Sequence, residues 1–215
     1  MKKLIIIGAG GFGREVAWVV ERINRVSSCW ELVGFCDDAA EKQKGLCGGY
    51  PLLGTVETAM LSGIAFFFCA LGSNRARQAM TERAIALGLK AVTVVDPTAV
   101  IAPDVEIGAG SYTGIGSVVS TGTRLGNGVI VNHQVCVGHD VGVDDFAQLC
   151  PGVKVSGGCK IGEGALLGTN AGTIPLKKIG AWSTVGAGMT ALRDVADGAS
   201  VIRIAAREVS GPISI

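Results

Sequence analysis

Val131-Asn132-His133-Gln134-Val135-Cys136-Val137-Gly138-His139-Asp140-Val141-Gly142-Val143 places an aliphatic residue at every sixth position. Stepping outward by six continues the series without a slip from residue 95 to 190. Val95, Ile101, Ile107, Thr113, Val119 and Leu125 precede the stretch, and Leu149, Val155, Ile161, Leu167, Thr173, Ile179 and Val185 follow it. Glycine comes directly after many of these positions, as at Gly108, Gly126, Gly138, Gly162 and Gly180, and a small residue four places after, as at Ser117, Ala147 and Ala165. A period of six is neither helical nor the simple alternation of a half-buried strand, and repeats of fixed period mark stacked architectures. Each unit makes one flat face, with its aliphatic residue pointing into the core and its glycine easing the corner. Three faces close a triangular parallel β-helix, so the run holds about five coils stacked roughly 4.8 Å apart.

Before the repeat stands a different pattern. Residues 3–7 are a continuous apolar run, as in a buried strand. Gly8-Ala9-Gly10-Gly11-Phe12-Gly13 then matches Gly-x-Gly-x-x-Gly, and a helix pattern follows over 14–23. Such a loop lets phosphate approach backbone N–H groups at a helix N-terminus. A second strand over 31–36 ends in Asp37-Asp38, where an acidic residue can meet a ribose hydroxyl. A strand over 64–70, the turn Gly72-Ser73-Asn74-Arg75, a helix over 76–87 and a strand over 91–95 complete the section, and Asp96-Pro97 opens the coil. The organisation read from this is a Rossmann-like domain over 1–94 and a β-helix with its tail over 95–215, with almost no linker. Three uses fit the glycine loop: a nucleotide-linked sugar, an empty structural turn, or a dinucleotide. About 90 residues supply barely one mononucleotide-binding half, which ranks the nucleotide sugar first and the dinucleotide last.

Composition narrows the class further. Net charge is +1 and only 17% of residues are charged, which argues against nucleic acid or a membrane surface as partner. The seven cysteines form no Cys-x-x-Cys pair and there are two histidines, so no metal site is expected and free thiols in a reducing cytoplasm are. The apolar run after Lys2-Lys3 is too short for a leader or a span.

The repeat and the front section together resemble the hexapeptide-repeat sugar acetyltransferases, the branch that includes the sialic-acid O-acetyltransferases and the N-acetyltransferases of nucleotide-linked amino sugars in bacterial glycan synthesis. The resemblance implies a left-handed coil, a homotrimer, acetyl-CoA as co-substrate and a nucleotide-sugar acceptor. By position it assigns sugar-nucleotide contacts to Gly10, Gly11, Phe12, Asp37, Asp38 and Gly72, with Phe12 standing where the family often has histidine. It assigns acetyl-CoA contacts to Gln148, Thr169 and Ala187. The family's closing Gly-Asn-Pro-Ala-Arg is replaced here by Arg203-Ile204-Ala205-Ala206-Arg207, whose arginines meet phosphates or stay as solvated charges.

Acetyl transfer needs a base for the acceptor's proton, a donor for the developing oxyanion and alignment of two substrates. Histidine suits the first task near neutral pH. His139, in the family's catalytic context with Asp140 directly after it, is assigned as base and Asp140 as its orienting partner. His133, one repeat earlier, reads as a surface or trimer-interface residue, and Asn132 matches a positioning asparagine of the family. One coil on from His139 is Gly157, whose N–H the family uses toward the oxyanion. Cys136 and Cys150 offer a covalent route, which is the less favoured one because nothing marks either thiol as activated. The expected activity is acetylation of an amino sugar's amine. O-acetylation of a sialic acid is the alternative within the class, and a non-catalytic trimeric nucleotide-sugar scaffold the alternative outside it.

Overall fold

The computed structural model describes residues 1–39, 45–61 and 63–202. In chain order the front section comprises β1 (Lys2–Ile7), α1 (Gly11–Val26), β2 (Trp30–Cys36), a short hairpin of β3 (Leu46–Cys47) and β4 (Tyr50–Pro51), α2 (Val56–Leu61), β5 (Phe66–Cys69), α3 (Asn74–Ala86) and β6 (Lys90–Ala91). The β-branched run of β1 puts Leu4, Ile5 and Ile6 wholly out of solvent, as a central strand requires. Its neighbours are β2 and β5, and β6 lies beyond β5, giving the parallel order β2-β1-β5-β6. α1 turns Val16, Val19 and Val20 onto this sheet. Gly13 has to lack a side chain, because a β-carbon there would collide with the Gly8 carbonyl oxygen.

From Val94 the chain winds into three parallel sheets of seven, six and five two-residue strands, a β-solenoid of about six turns. Tyr112 pairs with Ile130, Val118 with Cys136 and Arg124 with Gly142, so each rung joins residues one coil of three hexads apart. The stepped aliphatics line the core: Val119, Val131, Val137, Leu149, Ile161, Leu167, Ile179 and Val185 are all buried. There is one coil more than the five expected. It escaped a strict six-residue step because it is shortened: Val185 pairs with Val201 and Ile179 bridges Val195, two residues early.

The corner glycines fall into two classes with different causes. Three places after each stepped residue, from Gly110 to Gly188, φ is positive; Gly128 is at +63°. Glycine is favoured there but not obligatory, since Gln134, Asp140, Phe146, Asn170, Leu176 and Trp182 adopt the same conformation. The glycine directly after the stepped residue serves close stacking instead. A β-carbon on Gly138 would stand 2.7 Å from the backbone nitrogen of Gly157 in the next coil.

The strand expected over 91–95 is two strands: β6 closes the front sheet, and Val94–Val95 opens the solenoid by pairing with Tyr112–Thr113. One apolar cluster then runs through both sections, joining Leu4, Ile6, Val16, Phe35 and Phe68 to Val94, Tyr112 and Ile130. Polar ties reinforce it. Arg22 of α1 grips the buried Asp96 with two hydrogen bonds, of 2.6 and 3.2 Å. Burial opposes ionisation of Asp96, but hydrogen bonds from Arg22 and Thr98 outweigh it and hold the carboxyl below its ordinary range. Arg77 of α3 is 1% exposed and donates to the carbonyls of Leu71, Gly128 and Phe146 and to the Gln148 side chain. Burial without a carboxylate partner pushes its pKa down to about 10, so it remains charged at neutral pH.

Candidate functional site

His139 and Asp140 occupy consecutive corner positions of the solenoid. Asp140 adopts φ +55°, a conformation that aspartate tolerates better than most residues, and this turns its carboxylate back to the imidazole. Asp140 Oδ2 lies 2.8 Å from His139 Nδ1. That contact places the ring proton on Nδ1 and leaves Nε2 as a free acceptor. The pair is open to approach, with side chains 66% and 72% exposed. Below the ring lies Gly157, whose hypothetical β-carbon would be 2.5 Å from Nε2.

A recurrent feature of the corners explains what Gly157 offers. Elsewhere a corner N–H is taken by an acceptor side chain one coil further on: Ala109 by Asn127, Ile115 by His133, Asn127 by Asp145. One coil after Gly157 stands Pro175, which has no such group. Among the described residues, the Gly157 N–H has no acceptor. An unpaired donor beside a histidine with a free Nε2 is a combination suited to an oxyanion and a proton acceptor.

A second set of the expected residues gathers in the seam between the two sections. Gly11, Phe12 and Gly72 from the front, with Asn132 and Gln148 from the solenoid, line a cavity of about 210 Å³ together with Glu15 and Ile130. Phe12 stacks edge-on against Tyr112, with ring centres 5.4 Å apart. Gly10 caps α1 at the mouth of the loop, exposed and with open space around it. Asp37 is half-buried and accepts from the Ala9 N–H at 2.9 Å, so it holds the glycine loop in place. Asp38 is exposed and accepts from Arg83.

Thr169 and Ala187 are exposed and continue the corner column of His133 and Pro151, each one coil beyond the last. Gln148 stands apart from them, its Oε1 accepting from Arg77 at 3.3 Å and its amide facing the seam cavity. His133 also turns to the seam: Nε2 is 3.5 Å from Glu15 of α1, and its ring packs edge-on to Tyr112. In a single chain, the His139 corner and the Asn132 corner are separated by the prism face that carries Cys136–Val137. Arg203 and Arg207 lie outside the described residues.

The site residues that sequence reasoning missed are Glu15, Ile130 and Arg77. Glu15 had a usable signal, since it falls four residues after Gly11 on one face of α1. The cysteine route gains nothing here. Burial pushes the Cys150 thiol up despite Gln148 and Arg77 nearby, and all seven cysteines are free. Among the described residues, no group of His, Cys, Asp or Glu is arranged to hold a metal, and no helix is long and apolar enough to cross a membrane.

Residues 3–84 match the family model of the PglD N-terminal domain. No curated protein sequence matches the chain. Among solved structures, the chain is similar to the acetyltransferase domain of PglB from Neisseria gonorrhoeae in complex with acetyl coenzyme A, at 35% identity and TM-score 0.84 over 93% of this chain and 95% of that one. It is also similar to a histidine mutant of perosamine N-acetyltransferase from Caulobacter crescentus in complex with CoA and GDP-perosamine, at 28% identity and TM-score 0.86 over 93% of each chain. WeeI from Acinetobacter baumannii matches at 25% identity and TM-score 0.84 over 94% of this chain and 97% of that one. By its front section, its six-residue coil and a 35% identity that spans nearly its whole length, the chain belongs to the PglD family of hexapeptide-repeat sugar acetyltransferases.

Proposed function

We propose that the protein is an acetyl-CoA-dependent acetyltransferase that acts on the amine of a nucleotide-linked amino sugar in bacterial glycan synthesis. The observation that carries this reading is the His139–Asp140 pair set over the unpaired N–H of Gly157. The solved relatives crystallised with acetyl-CoA, or with CoA and GDP-perosamine, support both substrate classes.

His139 Nε2 takes the amine's proton as the amine nitrogen bonds to the thioester carbonyl carbon. Asp140 keeps the ring in the productive tautomer and stabilises its charged form. Gly157 N–H donates to the carbonyl oxygen as that oxygen gains charge. His139 then returns its proton to the departing sulfur as the carbon–sulfur bond breaks, so the imidazole ends neutral and the products are an amide and a thiol. Thr169 and Ala187 would border the pantetheine arm, and the loop residues Gly10, Gly11 and Phe12, with Asp37, Asp38 and Gly72, would surround the nucleotide sugar.

The working unit in this reading is a cytoplasmic homotrimer. Val100 and Val118 stand outward in register with Cys136 on one solenoid face, and the two valines are 63% and 40% exposed. Covering that apolar row with a second copy removes it from water. The same packing sets the His139 corner of one copy beside the Asn132 corner and seam cavity of the next, which a single chain cannot do.

The test is mass spectrometry of products after incubation with acetyl-CoA and UDP-, GDP-, dTDP- and CMP-linked sugars, with His139→Ala in parallel. An acetylated amino sugar made by wild type alone supports the reading. An acetylated sialic acid moves the activity to O-transfer, equal product from His139→Ala removes the base assignment, and failure to bind acetyl-CoA at all favours a scaffold.

A further inference from the structure

The polar groups of the seam cavity have been sorted by their neighbours. Asn132 Oδ1 is taken by the His133 N–H at 2.7 Å, which leaves its amide hydrogens for a ligand. Gln148 Oε1 is taken by the buried Arg77, which leaves its Nε2 hydrogens with only a distant sulfur contact of 3.7 Å to Cys150. Both amides therefore present donors. Glu15 is the remaining polar side chain on the lining and its single charge among the described residues.

Glu15 is itself steadied. The Ile115 N–H donates to His133 Nδ1 at 3.2 Å, so the ring carries its proton on Nε2, which faces Glu15 Oε2 at 3.5 Å. The other carboxylate oxygen has no protein partner among the described residues. A lone carboxylate with no lining cation repels phosphate. The cavity thus suits the part of a nucleotide sugar that carries both acceptors and donors and no negative charge. That part is the hexose ring, whose hydroxyl and amino substituents can donate to Glu15 and accept from Asn132 and Gln148.

We propose that the seam cavity holds the hexose of the acceptor and that Glu15 is a specificity-determining residue which accepts a hydrogen bond from a hydroxyl or amino substituent of that ring. This rests on the reading of the chain as a nucleotide-sugar acetyltransferase. The diphosphate then lies outside the cavity, toward the exposed Gly10 end of α1.

The experiment is isothermal titration of wild type, Glu15→Gln and Glu15→Asp with GDP, UDP and dTDP, and with the 4-amino-6-deoxyhexose linked to each, using CoA as a control for folding. Wild type binds one nucleotide sugar more tightly than its bare diphosphate. In Glu15→Gln that increment shrinks about tenfold or more, the loss of one charge-assisted hydrogen bond, while the bare diphosphate and CoA bind as before. In turnover, KM for the nucleotide sugar rises and KM for acetyl-CoA does not. Equal weakening of diphosphate and nucleotide sugar, or no change in either, overturns the assignment. Should Glu15→Gln lose CoA binding, Glu15→Asp decides, since a retained charge on a shorter stem must still weaken the sugar selectively. A wild type that binds CoA but no nucleotide or nucleotide sugar overturns the nucleotide-sugar reading itself, and that outcome is distinct from an increment that survives Glu15→Gln.

Discussion

The imidazole of His139 rests on Gly157, with Nε2 where a side chain on residue 157 would begin, 2.5 Å from its β-carbon. The absent side chain is what lets the Nε2 end of the ring settle on the coil beside an unpaired N–H. Gly157 lies outside the positive-φ region, so its backbone accepts alanine without strain. Gly157→Ala is expected to keep Tm within a few degrees while pushing the exposed ring off its seat. The expected result is a fall in kcat on the order of a hundredfold, read by single-turnover acetylation beside a thermal melt.

Asp140 orients its histidine from the surface rather than from a buried pocket, so its removal is felt less than removal of the base. Asp140→Asn should lower kcat about tenfold, whereas His139→Ala should lower it about a hundredfold to ten-thousandfold. Steady-state kinetics at saturating acetyl-CoA separates the two.

The Arg22–Asp96 pair predicts an acid limb to stability. The folded Asp96 carboxyl lies below its ordinary range, so the unfolded chain binds the proton more readily. The contribution is therefore complete above about pH 4 and is lost as pH falls from there toward the folded value. Asp96→Asn should lower Tm at neutral pH by about 5 °C and flatten the decline of Tm below about pH 4. Thermal melts from pH 3 to 7 show both effects.

Arg77 gathers three carbonyls and one amide from both sections around a single buried guanidinium. Arg77→Met keeps the bulk and strips the donors, leaving Gly128 and Phe146 carbonyls unpaired. The expected loss is about 3 kcal/mol, or about 10 °C in Tm. Arg77→Lys should recover only part of it, because one ammonium cannot reproduce the planar fork.

In the proposed homotrimer of 21.9 kDa chains, Val118→Lys with Val100→Lys on the apolar face should give monomers, measured by sedimentation velocity. The monomers should bind CoA weakly and turn over little, since the two corners of the site no longer meet.

Much of this was open to sequence reasoning, for reasons that differ by residue. The solenoid announced itself because a side-chain period of six repeats over sixteen units, and no local accident imitates that. Its final coil stayed hidden because two missing residues shift Val195 and Val201 out of phase, although the hydrogen-bond ladder hardly notices. His139 and Asp140 were legible as neighbours in sequence, and Gly157 as a neighbour by coil arithmetic. Glu15 was legible only by its place four residues after Gly11; otherwise a single acidic residue on a helix face looks like any solvated charge until the fold sets His133 and Asn132 opposite it. Arg77 was hidden for the opposite reason: an arginine on a polar helix gives no sign of burial, and only the docking of α3 on the coil supplies three of its four acceptors.

Every rung of the solenoid joins residues a single coil apart, and that spacing bears on how the chain acquires its structure. Closing one coil asks the backbone to search only a short loop, whose entropic cost grows slowly with length. Each finished coil then presents a ready edge for the next, so folding can advance as a zipper once one coil has formed. The first coil is the costly one, with no edge to build upon. Here Val94, Tyr112 and Ile130 share their core with the front sheet, so that sheet can serve as the template from which the zipper starts. Coils near the front section should accordingly gain hydrogen-exchange protection before those near Val201 during refolding.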